Sequence, residues 1–346
     1  MYFASPTVGW VGSLLTNTLA GPLLATTDGG KHWARQLSPP ASVTTSVRFF
    51  DTRRGYALEV PFGAPGSPPV LYATADGGGS WTRVQTPPNQ YAGAYADFAD
   101  FDHGWFATFG FDRGRAPFSL YSTSDGGAHW AELLTLGPDR PESHGVRAGF
   151  ITGFFFADAR RGWVMASEPG RPVLYMTEDG GQSWRNQEVT LPARAASDWN
   201  VFLARPVLRP DGAGVMAAFT EQPQASVMYS TSDGGRTWSP PHPLPASNEA
   251  QLAMPDATHV WGAIDSKLWA SDDFGASWHQ LFSLAGGYTF ASLVALDPLH
   301  AWASALLPGP CPGNVTLNNC VTNKSSGKLL STSDGGKHWT DVVLPA

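Results

Sequence analysis

Thr26-Thr27-Asp28-Gly29-Gly30-Lys31-His32-Trp33 is the stretch that decides the fold, because it recurs along the chain. Each copy reads Ser/Thr-x-Asp-x-Gly-x-x-Trp, and we call this segment the Asp box. Successive Asp residues are 48, 49, 54, 54, 40 and 61 residues apart, a loose period near 50, and seven matches at four fixed positions exclude chance. The Asp and Trp residues of the seven boxes are Asp28 and Trp33, Asp76 and Trp81, Asp125 and Trp130, Asp179 and Trp184, Asp233 and Trp238, Asp273 and Trp278, Asp334 and Trp339.

The chemistry of the box has a local, structural explanation. An Asp in a hairpin turn accepts hydrogen bonds from backbone N–H groups of the turn, and a Ser or Thr hydroxyl can cap it. The Gly two residues after the Asp can take a positive φ. The Trp begins the next strand and covers the turn with its ring. We therefore interpret the seven carboxylates as structural staples and not as seven active sites.

A second repeated element precedes each box: a strand-like run, a short polar turn, then a small residue followed by a large one, as in Gly9-Trp10 and Gly104-Trp105. Each unit thus holds four short strands separated by turn residues. Four-stranded units repeated seven times predict an all-β fold, a seven-bladed β-propeller of four-stranded antiparallel blades with one Asp box per blade. We expect one domain over residues 1–346, with blades at about 1–38, 39–88, 89–137, 138–192, 193–245, 246–284 and 285–346.

The composition agrees with this fold class. Only 15% of the residues are charged, 12% are aromatic, and Gly and Pro number 38 and 29, which favours many short strands and turns. The net charge of −7 gives no basic field for nucleic acid. No apolar run reaches the roughly 18 residues that a spanning helix needs. No sequence cluster suggests a metal site or a cofactor, and we expect a monomer.

Cys311 and Cys320 lie nine residues apart in a Gly/Pro/Asn-rich segment. We interpret them as a local disulfide, although two free thiols on a surface loop are the alternative. A disulfide requires an oxidising compartment, so we expect an extracytoplasmic protein, secreted, periplasmic or at the cell surface. The chain begins with a strand-like segment and shows no signal peptide of its own.

The boxes resemble the Asp-box, or BNR, repeat of bacterial sialidases, sortilin-type receptors and xyloglucanases. The runs that end in Gly-Trp, FFFADARRGW at Phe154–Trp163 and DFADFDHGW at Asp97–Trp105, are similar to the photosystem II assembly and stability factors and their non-photosynthetic bacterial relatives. The resemblance covers the whole chain and implies a propeller with a non-catalytic role in assembling or stabilising a partner complex. Blade six departs from the pattern, with Asp273-Phe274-Gly275 in place of Asp-Gly-Gly, so we expect an altered turn there.

Chain direction alternates within a blade, so the turns between strands one and two should share a face with the Asp boxes. Arg53-Arg54 and Arg160-Arg161 are expected on that face. The resemblance implies an arginine-rich surface, and these two pairs are its analogues here by residue type alone, without a match of individual positions. The opposite face should carry the longer loops, where binding usually resides. These loops are Pro61–Pro69, Gly110–Phe118, Gly137–Arg147, Pro192–Trp199, Pro240–Asn248 and Cys311–Cys320.

The charges of blades three to five define a candidate binding face on these loops. Converging guanidinium groups suit a carboxylate or phosphate ligand, while ordinary solvated loops are the alternative. The candidate residues are Arg113, Arg115, Arg140, Glu142, Arg147, Arg194, Asp198 and Trp199. The sequence therefore favours a non-catalytic scaffold for a protein partner, with no catalytic residue assigned.

Carbohydrate binding or glycoside hydrolysis is the alternative function. A glycosidase needs two carboxylates across the scissile bond, and Glu142 with Asp198 is a pair that the loops could supply. A sialidase is disfavoured, because the Phe/Tyr-Arg-Ile-Pro segment is missing and Ala204-Arg205-Pro206 is a poor match in the wrong blade. Finally, blade one has only Tyr2–Ser5 for its innermost strand, and we predict that blade seven packs directly on blade one.

Overall fold

The structure is a computed structural model, and it describes residues 1–12, 22–38, 42–61, 67–88, 93–110, 117–147, 150–168, 171–190, 201–221, 224–245, 250–307 and 326–345. These residues form strands and turns and no helix. The strands make seven antiparallel sheets of four consecutive strands, one of which has a short additional strand, and a separate two-stranded hairpin. The fold is thus the predicted seven-bladed β-propeller.

Each of the first three blades contains four strands. Blade one contains β1 (Tyr2–Phe3), β2 (Gly9–Val11), β3 (Leu23–Thr26) and β4 (Ala34–Leu37); blade two contains β5 (Ser42–Phe49), β6 (Gly55–Pro61), β7 (Val70–Thr74) and β8 (Thr82–Val84); blade three contains β9 (Gly93–Phe98), β10 (Gly104–Phe109), β11 (Phe118–Thr123) and β12 (Ala131–Leu136).

The later blades contain two additions, a hairpin before blade four and a short strand in blade five. The hairpin is β13 (Glu142–Ser143) and β14 (Val146–Arg147), and blade four contains β15 (Phe150–Phe156), β16 (Gly162–Glu168), β17 (Arg171–Thr177) and β18 (Arg185–Gln187); blade five contains β19 (Val201–Leu203), β20 (Val207–Leu208), β21 (Gly214–Glu221), β22 (Gln224–Thr231) and β23 (His242–Pro243); blade six contains β24 (Ala250–Ala253), β25 (Val260–Ile264), β26 (Lys267–Ser271) and β27 (His279–Ser283); blade seven contains β28 (Thr289–Ala295), β29 (Ala301–Leu307), β30 (Ser326–Thr332) and β31 (Thr340–Val342).

The chain divides into two compact units. The first comprises Met1–Ala96, Ser266–Leu268 and Leu281–Ala346, and contains blades one, two and seven. The second comprises Asp97–Asp265 and Trp269–Gln280, and contains blades four and five with most of blades three and six.

Aromatic stacking between neighbouring blades is shared by both units. In the first unit, Trp302 of blade seven stacks on Phe3 of blade one, with ring centroids 3.7 Å apart. Trp10 stacks in the same way on Phe49, at 3.4 Å. In the second unit, Trp105 of blade three stacks on Phe156 of blade four, at 3.6 Å. The direct packing of blade seven on blade one is thus confirmed, and Phe3 performs it although β1 has two residues.

The Gly that begins the second strand of several blades is explained by the same Phe rings. A Cβ on Gly162 would lie 2.7 Å from Cγ of Phe156, and one on Gly55 would lie 2.6 Å from Cγ of Phe49. Each Phe lies six residues before the Gly of its own blade. The ring therefore rests on bare backbone, which lets it reach the Trp of the preceding blade.

The two glycines of an Asp box contact different parts of the molecule. Gly180 lies against its own blade, because its N–H donates to the carbonyl of Arg160 in the turn between β15 and β16, at 2.7 Å. A Cβ on Gly181 would instead lie 2.6 Å from Cδ1 of Leu133 in blade three. The second glycine is therefore the point where the preceding blade docks.

The turn of blade six is not altered. Phe274 takes a φ of 57°, close to the 70° to 78° of the first glycine in the other six boxes, while Gly275 keeps the second position at 90°. The residues exchange the same hydrogen bonds as elsewhere, including Ser271 Oγ to Asp273 Oδ1 at 2.9 Å. The expectation of an altered turn was wrong, because Phe274 adopts the positive φ of the first position and its N–H donates to the carbonyl of Thr258 (3.1 Å), as the first glycine does to the same turn in other blades.

Candidate functional site

The seven Asp boxes share one hydrogen-bond pattern, seen clearly in blade four. The Thr177 hydroxyl donates to Asp179 Oδ1 (2.7 Å) and accepts from the N–H of Gly181 (2.9 Å). Asp179 also accepts from the N–H of Ser183 (3.0 Å) and, through its other oxygen, from the Ser183 hydroxyl (2.5 Å). Both carboxylate oxygens and the hydroxyl are thus used within eight residues, as the staple interpretation requires.

Histidine replaces serine at the position after these turns in three boxes. His32, His129 and His338 each lie with Nδ1 2.6 Å from the carboxylate of their own box. Their side chains are 85–90% exposed. Each histidine therefore contacts the carboxylate of its own turn from the solvent side, and the three do not form a catalytic cluster.

The hydrogen bonds keep the box carboxylates ionised. Bonds from the backbone and hydroxyl of Ser80 lower the pKa of Asp76 to about 2, and those from His129 lower the pKa of Asp125 to about 2. An unfolded Asp titrates at about 3.9. Because the folded pKa is depressed, the resulting stability is fully present above about pH 4 and is lost as the pH falls through about 2.

We expect Thr177→Val to lower the free energy of unfolding by about 1–3 kcal/mol, because the buried N–H of Gly181 then loses its acceptor. Thr177 is 1% exposed, and valine keeps its shape. Thr237→Val is the matched control, since the Thr237 hydroxyl bonds the carboxylate of its box at an exposed position that water can occupy. Urea unfolding should show that the control lowers the free energy of unfolding by less than about 0.5 kcal/mol. Equal losses for the two variants would contradict a role for the buried hydroxyl.

The turns between strands one and two lie beside the Asp boxes, as predicted. The N–H of Gly77 donates to the carbonyl of Arg53 (2.7 Å), and Asp51 binds the Arg54 guanidinium at 2.9 Å. Arg161 pairs with Asp158 at 3.2 Å. The arginine pairs of blades two and four thus share the Asp-box end of their blades.

Only part of the candidate binding face can be placed. Arg140, Glu142 and Arg147 are described, whereas Arg113, Arg115, Arg194, Asp198, Trp199 and the Cys311–Cys320 pair lie outside the described residues. The three placed residues belong to one element, the segment Gly137–Arg147, which includes the β13–β14 hairpin. We call this segment the charged hairpin.

The charged hairpin is held by blade four. Val146 is fully buried and packs in the same core cluster as Trp184. The carbonyl of His144 accepts the N–H of Trp184 (3.2 Å), and the N–H of Arg147 donates to the Tyr175 hydroxyl (3.3 Å). Trp184 belongs to the Asp box, so the hairpin tip lies at the Asp-box end of blade four. This differs from the expectation of an opposite-face loop, because burial of Val146 draws the segment along the blade.

The side chains of the charged hairpin remain in solvent. Arg147 lies 3.6 Å from Glu142, and Arg140 lies 3.6 Å from Glu132 of β12. All four are at least 49% exposed, where such pairs contribute little to stability. The hairpin therefore presents two arginines on a backbone anchored to blade four. Carboxylates of another molecule can replace Glu132 and Glu142 as the ion-pair partners of these arginines.

Sequence reasoning missed a charged pair that joins three blades of the second unit. Arg205 of blade five binds Asp97 of blade three at 2.9 Å and lies over the ring of Phe155 in blade four. Asp97 is 5% exposed and also accepts the N–H of Phe156. In the sequence Arg205 stands out only in the poor sialidase match Ala204-Arg205-Pro206, and nothing local to either residue indicates a partner 108 positions away.

Glu59 is a buried carboxyl that was also missed. It is 1% exposed, and its oxygens accept the hydroxyls of Ser42 (2.9 Å) and Thr44 (2.5 Å). Burial raises its pKa, and the bonds from Thr44 and Ser42 offset part of that rise. A single charged residue in the strand GYALEVP was the available signal. Its oxygens are occupied and closed to solvent, which does not suit a catalytic acid.

We expect the free energy of unfolding of the Glu59→Gln variant to increase relative to that of the natural protein as the pH rises. The folded pKa of Glu59 is raised above its unfolded value of about 4.3. Its contribution to stability is thus fully present below about pH 4.3 and is lost as the pH rises through the folded pKa. Glutamine resembles the protonated acid and cannot ionise. Urea unfolding of both proteins from pH 4 to pH 8 measures the difference, and a constant difference would contradict the assignment.

A cavity in the first unit is also lined by hydroxyls. It has a volume of about 90 Å³ and is bordered by Thr44, Thr45, Ser46, Ser292 and Ser304, with Met1, Val11, Gly12 and Val47. Small-molecule sites usually measure roughly 300–1,000 Å³. This cavity is therefore too small for a sugar ring with its contacts.

The residues that the structure describes contain no group of three His, Cys, Asp or Glu side chains arranged to hold a metal ion. Within the same ranges, no helix is long and apolar enough to cross a membrane.

Comparison by sequence finds no matching family model and no matching curated protein. Solved structures do match. YCF48 bound to D1 peptide has a TM-score of 0.60 at 19% identity, over 87% of each chain. The α-L-arabinofuranosidase Arb93A of Fusarium graminearum has a TM-score of 0.51 at 12% identity, over 85% of this chain and 93% of that one. A polysaccharide lyase of family PL25, an ulvan lyase, has a TM-score of 0.51 at 11% identity, over 98% of this chain and 85% of that one.

The TM-scores show a shared fold, and at such low sequence identities they say nothing about activity. They agree with the repeat pattern, since the resemblance to photosystem II assembly factors predicted a propeller of this type. The chain is a seven-bladed β-propeller that shares its fold with YCF48.

Proposed function

We propose that this propeller is a non-catalytic scaffold that binds a protein partner. The observation that carries the proposal is the use of the repeated acids: their oxygens are occupied by turn hydrogen bonds in all seven boxes. The charged hairpin supplies a different kind of surface, which is rigid in its backbone and exposed in its side chains. Such a surface suits recognition and lacks the enclosed carboxylates that hydrolysis needs.

The charged hairpin is the proposed contact surface. Its ion pairs are long and solvated, so a partner's carboxylates can replace those of Glu132 and Glu142 at little cost. Arginine is suited to this exchange because its guanidinium binds a carboxylate through two parallel N–H groups. The solved complex of YCF48 with a D1 peptide supports the proposal, as a propeller of the same fold that binds a segment of another protein.

The test is a pull-down from the native extract with the full chain and with Arg140→Glu combined with Arg147→Glu. We expect the captured partner to bind the variant at least about tenfold more weakly, since both guanidinium groups are replaced by carboxylates. Arg35→Glu with Arg83→Glu is the control, because it changes the same charge at two exposed arginines of blades one and two that belong to neither candidate surface. Partner retention by the hairpin variant, or equal loss in both variants, would refute the proposed surface.

The alternative is a carbohydrate-binding or glycoside-hydrolysing propeller, which the arabinofuranosidase and ulvan lyase folds favour. A glycan array run beside the pull-down separates the two. A glycan hit without a protein partner would support the alternative and make Glu142 and Asp198 the next residues to substitute. A protein partner lost in the hairpin variant would support the scaffold.

We also propose that the protein works outside the cytoplasm, with Cys311 and Cys320 joined in a disulfide. The proposal rests on their spacing in the sequence. Alkylation of the protein from its native source before and after reduction tests it by mass spectrometry. A disulfide predicts that alkyl groups are added only after reduction, whereas labelling without reduction would refute it.

A further inference from the structure

The cavity of the first unit lies where three blades meet. Five of the nine residues that border it carry hydroxyl groups. Blade one contributes Met1, Val11 and Gly12, blade two contributes Thr44, Thr45, Ser46 and Val47, and blade seven contributes Ser292 and Ser304. The cavity is separate from the charged hairpin and from the carboxylates of the Asp boxes, so an inference about it goes beyond the proposed function.

Two β-bulges border this cavity. In β5 the pairing register shifts between Thr44 and Ser46, so Thr45 is the extra residue opposite β6. In β28 the register shifts in the same way between Phe290 and Ser292. A bulge disrupts the ladder locally and redirects side chains, and such irregularities are common beside functional sites. The regular pairing of the first strands of blades two and seven is thus interrupted at the cavity.

The hydroxyls on the blade-two side are only loosely bonded within the protein. Thr45 Oγ1 lies 3.4 Å from the carbonyl oxygen of Leu58, and Ser46 Oγ lies 3.5 Å from that of Ala96. Hydrogen bonds donated by hydroxyls usually measure about 2.5–3.0 Å. A hydroxyl oxygen also has two lone pairs that can accept while its proton is donated. Both side chains can therefore make a further, shorter hydrogen bond.

The serine pair of blade seven supplies a proton donor. Ser292 Oγ and Ser304 Oγ lie 2.5 Å apart across the β28–β29 pair, and either oxygen can be the donor. One of the two hydroxyl protons closes this bond, so the other can be donated to a third group. Ser304 is 8% exposed, which places the pair close to the protein interior. The cavity wall thus combines acceptors with a donor.

A wall of this kind suits water better than other small ligands. Water both donates and accepts hydrogen bonds, whereas a metal cation interacts only with lone pairs and an inorganic anion interacts chiefly with donors. An apolar molecule would leave the hydroxyls unpaired, which costs about 1–3 kcal/mol for each buried group. The cavity volume of about 90 Å³ matches three molecules at the roughly 30 Å³ that each occupies in liquid water.

We propose that this cavity binds a cluster of about three ordered water molecules, which connects blade two to blade seven beside blade one. The waters donate to Thr45 and Ser46 and accept the remaining proton of the Ser292–Ser304 pair. A buried water makes about three hydrogen bonds, and the hydroxyls of the wall provide them. The cluster thereby supplies polar contacts between two blades at the point where bulges interrupt the pairing of their strands.

The test is oxygen-17 magnetic relaxation dispersion of the full chain, which counts water molecules that stay bound longer than the protein takes to tumble. Ser292→Val with Ser304→Val fills part of the cavity with methyl groups and removes its donor. We expect this variant to lose about two or three long-lived waters. Ser119→Val with Thr135→Val is the matched control, because it replaces a hydroxyl pair of blade three, 3.0 Å apart, that lies outside the cavity. We expect the control to retain the waters of the cavity.

Near-UV circular dichroism checks that both variants are folded. An unchanged number of long-lived waters in the Ser292/Ser304 variant overturns the proposal, and so does an equal loss in the control. A high-resolution crystal structure of the natural protein tests the proposal even where the variant does not fold. It should show water peaks within hydrogen-bond distance of Thr45, Ser46 and the serine pair, whereas a cavity without ordered water, or one that holds another molecule, contradicts the proposal.

Discussion

Gly162→Ala should destabilise the protein by about 3 kcal/mol or more, because the added methyl group overlaps a ring that cannot move. The new Cβ would lie 2.7 Å from Cγ of Phe156. That ring is fully buried and stacks on Trp105 of the preceding blade at 3.6 Å. Relief of the overlap must therefore separate two blades or move the β15–β16 pair apart.

Gly153→Ala is the matched control in the same blade. A Cβ there meets only the terminal methyl of Met165, at 3.1 Å, and a flexible methionine can shift at small cost. We expect a loss below about 1 kcal/mol for this variant. Chemical unfolding of both variants by urea measures the difference. Equal destabilisation would mean that the Phe156 stack does not restrict blade packing.

Gly235→Ala should lower stability by a similar or larger amount through two separate effects. Gly235 has a φ of 81°, which costs an alanine about 1 kcal/mol. Its Cβ would also lie 2.6 Å from Cζ2 of Trp163, a fully buried ring of blade four. This overlap forces apart the contact where blade four docks on the Asp box of blade five.

Gly286→Ala isolates the backbone effect. Gly286 has a φ of 73°, and the nearest atom to a Cβ there is Cδ2 of Tyr288 at 3.8 Å, an ordinary contact. We expect urea unfolding to show that this variant has a free energy of unfolding lower by about 1 kcal/mol. A loss for Gly235→Ala no greater than that of Gly286→Ala would show that the second glycine of the box is required for φ alone.

The structure also shows how one position of the Asp box tolerates substitution and the other does not. At the first position blade six has Phe274, which adopts a φ of 57°. The second contacts the preceding blade in several copies, as Gly181 does with Leu133 and Gly235 with Trp163. The Asp-x-Gly pattern of the sequence reflects this difference, because the position after Asp varies and the next position is Gly in all seven boxes.

Glutamines outside the box reinforce the same joint in two blades. Trp163 Nε1 donates to Gln187 Oε1 at 3.1 Å, and Gln187 donates in turn to the carbonyl of Gly235 at 2.9 Å. In the first unit Gln36 likewise accepts from Trp10 Nε1, at 3.1 Å, but it donates to the carbonyl of Gly77, the first glycine of its box, at 2.8 Å. Their positions three residues after the box Trp are readable in the sequence, but their partners are 41 and 48 residues away.

The sequence by itself determined the number of blades, the strands within them and the conformation of each Asp-box turn. The physical reason is that the hydrogen bonds of the Ser/Thr hydroxyl and the Asp carboxylate close within four residues, so the eight residues of the box contain both donor and acceptor. Tertiary structure decided what depends on contacts between distant segments: the burial of Glu59, the Arg205–Asp97 pair and the packing of Val146 that turns the charged hairpin toward the Asp-box end. These depend on how strands far apart in sequence pack side by side, and no local pattern of residues encodes that distance.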